Sequence, residues 1–292
     1  MRKFEILDVF AQRAYEGNQL AVFTDSRGLT ADEMQHMAAE MHYSETSFID
    51  PDKTDGAYRV RIFTPAHEVP FAGHPTLGTA DVVRRLFEGG KADEILLDMQ
   101  VGRIPVTVRR EGERDVYRMR QVEPEFRSQL PASRLAPVIG LDEADFDAAF
   151  PIEEVSTGLA HIIVPLRSLD ALKRARTNRD AYFALIATTW AKNVMIFCPE
   201  PHEPGNHISV RMFADYLGIP EDPATGSGCG CLAGYMVRHR FFGRPEVDIR
   251  AEQGYEIDRP SLLHLRARER DGHIEITVGG SVVPVACGEF GA

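Results

Sequence analysis

The chain has 292 residues, 43% of them apolar, which sets a prior of one large or two medium domains with ample material for a core. With 33 basic against 44 acidic residues the formal net charge is −11, a poor match to nucleic acid or an anionic membrane, though not to a small anion in a locally positive pocket. Four cysteines without disulfide spacing, an opening Met1 to Asp8 with no apolar targeting core, and no apolar run approaching 18 residues lead us to expect a reduced, cytoplasmic protein without a membrane span.

Lys3 to Phe10 alternates apolar and polar residues and is read as a half-buried strand, with a turn at Glu16 to Gln19 and a short apolar run from Leu20 to Phe23. Thr30 and Glu33 form a capping box that opens a helix with Met34, Met37, Ala38 and Met41 on its apolar face. Strands follow from Thr46 and over Tyr58 to Phe63. Thr64 to Thr76 is read as a turn-rich loop, and a helix runs from about Pro75 to Gly89-Gly90, with Leu77, Ala80, Val83 and Phe87 along one face. Ile95–Met99, Ile104–Arg109 and Val116–Arg120 are strands. Gln121 to Asp147 reads as less regular, with a short helix at Leu135 to Ile139. Beyond it, Ala160–Pro165, Val194–Cys198, Ile208–Phe213, Val247–Ala251, Leu262–Arg268, Ile274–Val278 and Val282–Val285 are strands, and Leu169–Ala175, Arg179–Trp190 and Gly230–Phe241 are helices.

A self-similarity runs through this pattern. Tyr58 to Phe63 matches Ile208 to Phe213, and Ala72 to Ala80 parallels Thr225 to Ala233, at an offset of about 150 residues. Each copy is a strand, a proline-bearing turn, a cluster of small residues and a helix. Two similar lobes are expected, each wrapping strands around one long helix, with the two helix N-termini facing across a cleft. In the second copy Gly226, Gly228 and Gly230 allow close approach to backbone N–H groups, and the positive end of a helix attracts anions.

Two other chemistries fit poorly. Gly226 to Cys231 lacks the last glycine of a dinucleotide fingerprint and lies late in a strand-rich chain, which argues against a nicotinamide oxidoreductase. A two-thiol racemase needs a cysteine on each lobe, and the first 197 residues contain none; Cys229 and Cys231 read as small buried helix residues, and their spacing suits zinc badly. No metal site is expected.

Five segments taken together identify a relationship: Gly17-Asn18-Gln19-Leu20-Ala21-Val22-Phe23, Ser44-Glu45-Thr46-Ser47-Phe48, Arg61-Ile62-Phe63-Thr64-Pro65, Glu68-Val69-Pro70-Phe71-Ala72-Gly73-His74-Pro75-Thr76 and Asp222-Pro223-Ala224-Thr225-Gly226-Ser227-Gly228. In order and spread over most of the chain, they resemble the PhzF, or phenazine-biosynthesis-like, family. The resemblance implies an α+β, diaminopimelate-epimerase-like fold of two pseudo-symmetric lobes, each a curved, mostly antiparallel sheet around a central helix. It also implies a homodimer and an isomerase that moves a proton without metal or organic cofactor. The lobes are placed at residues 1–120 and 121–292, the last strand being free to cross back to the first.

The same resemblance makes Glu45 the catalytic acid/base, since a carboxylate in a partly apolar pocket is raised toward neutrality. It places His74 in the site as a proton-handling or substrate-binding group, with Asp222 expected to hydrogen-bond it across the cleft. Ser227, with backbone N–H groups near Gly226 and Gly73, is expected to hold a substrate carboxylate or stabilise enolate-like charge. Without the motifs these residues read as a solvated strand-start glutamate, a loop histidine capping a helix, a turn aspartate before proline and a serine N-cap. The expected activity is proton transfer on a small carboxylate-bearing metabolite; the alternative is a metabolite-binding protein that kept the pocket and lost turnover.

Overall fold

The computed structural model describes residues 1–291 of the chain. These fall into two units, one of residues 1–120 with the chain end from Gly279 onward, the other of residues 121–278.

The first unit begins with β1 (Arg2–Val9), β2 (Asn18–Phe23), α1 (Ala31–Met41), β3 (Thr46–Ile49), β4 (Tyr58–Phe63) and β5 (Glu68–Val69). Helix α2 (Gly73–Leu86) and strands β6 (Glu94–Met99), β7 (Gly102–Glu111) and β8 (Arg114–Arg120) follow. The second unit holds β9 (Glu125–Leu130), α3 (Ala132–Ile139), β10 (Ile152–Ser156), β11 (Ala160–Pro165), α4 (Leu169–Arg174), α5 (Arg179–Ile186) and β12 (Asn193–Cys198). It continues with β13 (Ile208–Ala214), β14 (Ile219–Asp222), α6 (Gly226–Arg238), β15 (Glu246–Gln253), β16 (Ser261–Arg270) and β17 (His273–Gly280). The last strand, β18 (Val282–Phe290), pairs antiparallel with β1 and so belongs to the first unit.

The repeat extends to the pairing pattern. In the first unit β1–β2 is antiparallel, β2–β3 parallel, β3–β4 and β4–β5 antiparallel, β4–β6 parallel and β6–β7 antiparallel. In the second, β10–β11 is antiparallel, β11–β12 parallel, β12–β13 and β13–β14 antiparallel, β13–β15 parallel and β15–β16 antiparallel. Strand β9 flanks β10 as β18 flanks β1, both antiparallel. Each parallel step needs a crossover, and α1, α4–α5, α2 and α6 supply them.

Side-chain alternation explains why the inner strands read as unbroken apolar runs. In β11 and β12, Ile162, Val164, Val194 and Ile196 join the core beneath α3, α4 and α5. Met195 and Phe197, one register apart, turn the other way: Met195 Cε lies 2.3 Å from where a Gly228 Cβ would stand, and Phe197 meets Tyr235 of α6 edge-on. In the first unit Phe23, Phe48 and Phe63 pack with Met34, Met37 and Ala38 of α1. On the α2 side, a Cβ at Gly78 would stand 2.5 Å from Leu20 Cδ2 and 2.9 Å from Val9 Cγ2, so only glycine lets the helix sit this close.

The α1 capping box forms as read, Thr30 accepting from Glu33 N and Glu33 closing back on Thr30 N. Several boundaries differ. Helices α2 and α6 start at Gly73 and Gly226, earlier than Pro75 and Gly230. Pro75 falls in the first turn, where a missing N–H costs no helical bond. Helix α5 ends at Ile186, well before Trp190, and α3 starts at Ala132 with Pro137 inside it. Strands β9 and β10 went unread because their composition is polar. β9 is largely exposed, and β10 buries Glu153 and Glu154, which are satisfied by His239 Nε2 at 2.6 Å and Ala191 N–H at 2.9 Å.

A partly buried histidine ties the loop after β12 to β15. His202 Nδ1 lies 3.2 Å from Glu252 Oε2, its Nε2 lies 3.1 Å from Glu256 Oε1, and its ring stacks on Tyr255 at 4.1 Å. Burial opposes its charge, but the two carboxylates outweigh it and raise its pKa to about 9. The folded state therefore holds this proton more tightly than the unfolded chain, whose histidine titrates near 6.5. The resulting stability is complete below that value and is lost as pH rises through about 9. The urea midpoint is expected to fall over this window in the wild type and to fall less in His202→Gln; parallel curves would contradict the assignment.

Candidate functional site

Glu45 stands between the end of α1 and the start of β3, its side chain 20% exposed. Burial pushes its carboxyl pKa upward, against a smaller opposing effect of a hydrogen bond from Ser44. Its Oε2 is 3.6 Å from His74 Nε2. That same nitrogen is 3.3 Å from the Gln19 carbonyl, which fixes it as the protonated one. The Gly17-Asn18-Gln19 turn thus has a physical reason. Gly17 has φ +69°, and a Cβ there would sit 2.3 Å from Val9 O, while Gln19 presents its carbonyl to the imidazole.

His74 is not in a loop: it is the second residue of α2, 6% exposed, directly after Gly73. The N-cap of α2 is Ala72, whose side chain can make no cap bond, so the first backbone N–H groups of α2 have no side-chain cap. Glu45, Gly73 and His74 therefore come together within the first unit.

In the second unit, Asp222 ends β14, and Gly226 and Ser227 open α6. Ser227 is not the N-cap. That position is Thr225, whose hydroxyl donates to Asp222 Oδ2 and makes no cap bond. The first helical hydrogen bond of α6 runs from Cys229 N to Thr225 O at 2.9 Å, so the N–H groups of Gly226, Ser227 and Gly228 precede it.

The approach to each helix is held by the same device. Arg61 grips Glu68 through two 2.7 Å bonds, and Arg211 grips Glu221 at 2.8 and 2.7 Å. Each guanidinium also lies over a phenylalanine two residues on, Phe63 at 5.0 Å and Phe213 at 5.1 Å. Both copies read R-x-F, then E-x-P-x-x-G, and the glycine is the first helical residue.

The two thiols of α6 are fully buried, and burial pushes Cys231 up to about 11 and Cys229 higher still, which suits neither to proton transfer. Sequence reasoning missed three residues beside α6. Gln253 bonds Thr225 and the Asp222 carbonyl. Thr157 donates to Ser227 O at 3.3 Å. His161, fully buried and lowered to about 4 by that burial, hands Nδ1–H to Leu159 O at 3.0 Å. No periodicity marks such residues: Gln253 ends a strand of alternating polar and apolar residues, Thr157 follows a strand carrying two glutamates, and His161 sits in an apolar run.

The sequence profile of the family described as phenazine biosynthesis-like protein matches residues 7–288. A trans-2,3-dihydro-3-hydroxyanthranilate isomerase of Pseudomonas aeruginosa is 34% identical, covering 96% of this chain and 97% of its own. An uncharacterized isomerase of Bacillus subtilis is 30% identical over 97% of each chain. Among solved structures, a Bacillus anthracis phenazine biosynthesis protein of the PhzF family superposes with a TM-score of 0.91 at 28% identity, covering 100% of this chain and 99% of its own. A probable proline racemase of Agrobacterium radiobacter shares the fold, with a TM-score of 0.61 at 11% identity, covering 100% of this chain and 93% of its own. The chain therefore belongs to the PhzF, phenazine biosynthesis-like family and is an isomerase of that kind.

Proposed function

We propose that this isomerase moves a proton between two carbons of a small carboxylate-bearing substrate, with Glu45 as the general acid/base. The observation that carries the reading is the partly buried Glu45 carboxyl, raised in pKa and set 3.6 Å from His74 Nε2. A carboxylate of this kind takes a proton from one carbon and returns it at another; nothing is oxidised and no group leaves. His74 assists by donating from Nε2 to the carboxylate or to a polar substrate atom. Asp222 is assigned to the same chemistry, and Gly73, Gly226 and Ser227 to binding of the substrate carboxylate by backbone N–H groups and the serine hydroxyl. Support comes from the uncapped starts of α2 and α6 and from the named activity of the Pseudomonas relatives.

The test uses the substrate of those relatives. With trans-2,3-dihydro-3-hydroxyanthranilate in D2O, proton NMR should show an isomeric product carrying one solvent deuteron on carbon. Deuterium incorporation that persists unchanged in Glu45→Gln would remove Glu45 as the shuttle, and no turnover would remove this compound as the substrate.

A further inference from the structure

We propose that Gln253 is a positioning residue that keeps the N-terminus of α6 open for substrate, an inference that rests on the reading of that terminus as the carboxylate-binding element. Among the described residues three α-helices are capped by their own side chains: Thr30 accepts from Glu33 N, Ser168 from Ala171 N and Asn178 from Ala181 N. Thr225 stands at the same position of α6 and is a residue type that caps well, yet it makes no cap bond. Its hydroxyl is already used in both directions, donating to Asp222 Oδ2 and accepting from Gln253 Nε2 at 2.9 Å.

Gln253 holds the rest of the turn as well. Its Oε1 accepts from Thr225 N at 3.1 Å, and its Nε2 also donates to Asp222 O at 2.8 Å. At 1% exposure it makes these bonds without competition from solvent. Gly254 lets the end of β15 lie this close. It has φ +80°, and a Cβ there would be 2.7 Å from Pro223 O and 2.3 Å from Arg259 O.

A second observation points to the same turn. His161 Nε2 is fully buried, has no hydrogen-bond partner among the described residues, and lies 3.0 Å from the place a Gly228 Cβ would occupy. Neutral imidazole with Nδ1 protonated leaves Nε2 as an acceptor under the first turn. Polar groups therefore surround a helix start whose own cap residue is held off it.

If Gln253 is removed, the Thr225 hydroxyl is no longer held away from the helix start and can turn to cap α6, covering the amides that substrate needs. Gln253→Met should slow amide hydrogen exchange at Ser227 and Gly228 and raise KM for trans-2,3-dihydro-3-hydroxyanthranilate about tenfold, with kcat changed less than about twofold. Gln253→Glu keeps the acceptor for Thr225 N–H but loses the donor to the hydroxyl, and should shift exchange and KM the same way. The deciding variant is Gln253→Met with Thr225→Val. With no hydroxyl to turn inward, exchange and KM should return toward wild type. A double variant worse than the single, or unaltered exchange in both single variants, would overturn the proposal. Absence of wild-type turnover would count against the substrate reading alone, because the exchange measurement still decides the role of Gln253.

Discussion

Glu45→Gln is expected to lower the rate of solvent-deuterium incorporation by about 10³-fold while leaving KM within about threefold. Glutamine has the size of glutamate and can still bond Ser44 and face His74, but it carries no exchangeable acid proton of suitable pKa. Stability should move the other way. Burial raises the Glu45 pKa, so the folded state pays an electrostatic cost whenever the carboxyl is ionised. The folded chain then binds this proton more tightly than the unfolded one, and wild-type stability falls as pH rises from 4.5 through the raised value. The glutamine variant lacks that slope and should be equal or higher in urea midpoint at neutral pH. Exchange at the wild-type rate in Glu45→Gln would remove Glu45 from its role. Lost activity with a parallel loss of stability would show that the side chain is structural.

The readable parts of this chain were those where one periodicity dominated. Helix α1 shows its cap box and its methionine face, and both form because nothing else competes for Thr30 or Glu33. The strand repeat Tyr58–Phe63 and Ile208–Phe213 was visible, but the meaning of its arginines was not. Arginines at strand positions read as solvent-facing, whereas Arg211 is 4% exposed. What fixes them is a glutamate on the next short strand, and β5 and β14, of two and four residues, are too short to be read as strands. The helix starts were misplaced because Gly73-His74-Pro75 and Gly226-Ser227-Gly228 look like loops by composition. They are helical because small residues permit close packing of the first turn, as Gly228 does against Met195 and His161. Glu45 and His74 are 29 positions apart in sequence and meet only through the β2–β3–β4 pairing and α2, so their proximity needed the fold.

The two copies of the arginine–glutamate pair should differ sharply in what they contribute. Arg211 and Glu221 are 4% and 10% exposed, and Arg211 Nη1 also donates to Leu172 O at 2.8 Å and Ala175 O at 2.9 Å. Arg211→Met would leave the Glu221 carboxylate and both carbonyls without their cation, while the Glu256 carboxylate keeps His202. Loss of one member of a buried pair costs roughly 3–5 kcal/mol, most of it the stranded charge. Arg61 and Glu68 are 30% and 22% exposed, so water can solvate the glutamate left behind and Arg61→Met should cost only about 1 kcal/mol. Replacing both members of the buried pair, Arg211→Met with Glu221→Leu, removes the stranded charge and should recover all but about 2 kcal/mol of the loss. Urea denaturation of the four proteins measures these differences. Equal losses at Arg61 and Arg211 would mean that desolvation does not set the scale, and a double variant as unstable as Arg211→Met would mean that the carbonyl contacts, rather than the ion pair, hold β13 and β14 in place ahead of Asp222.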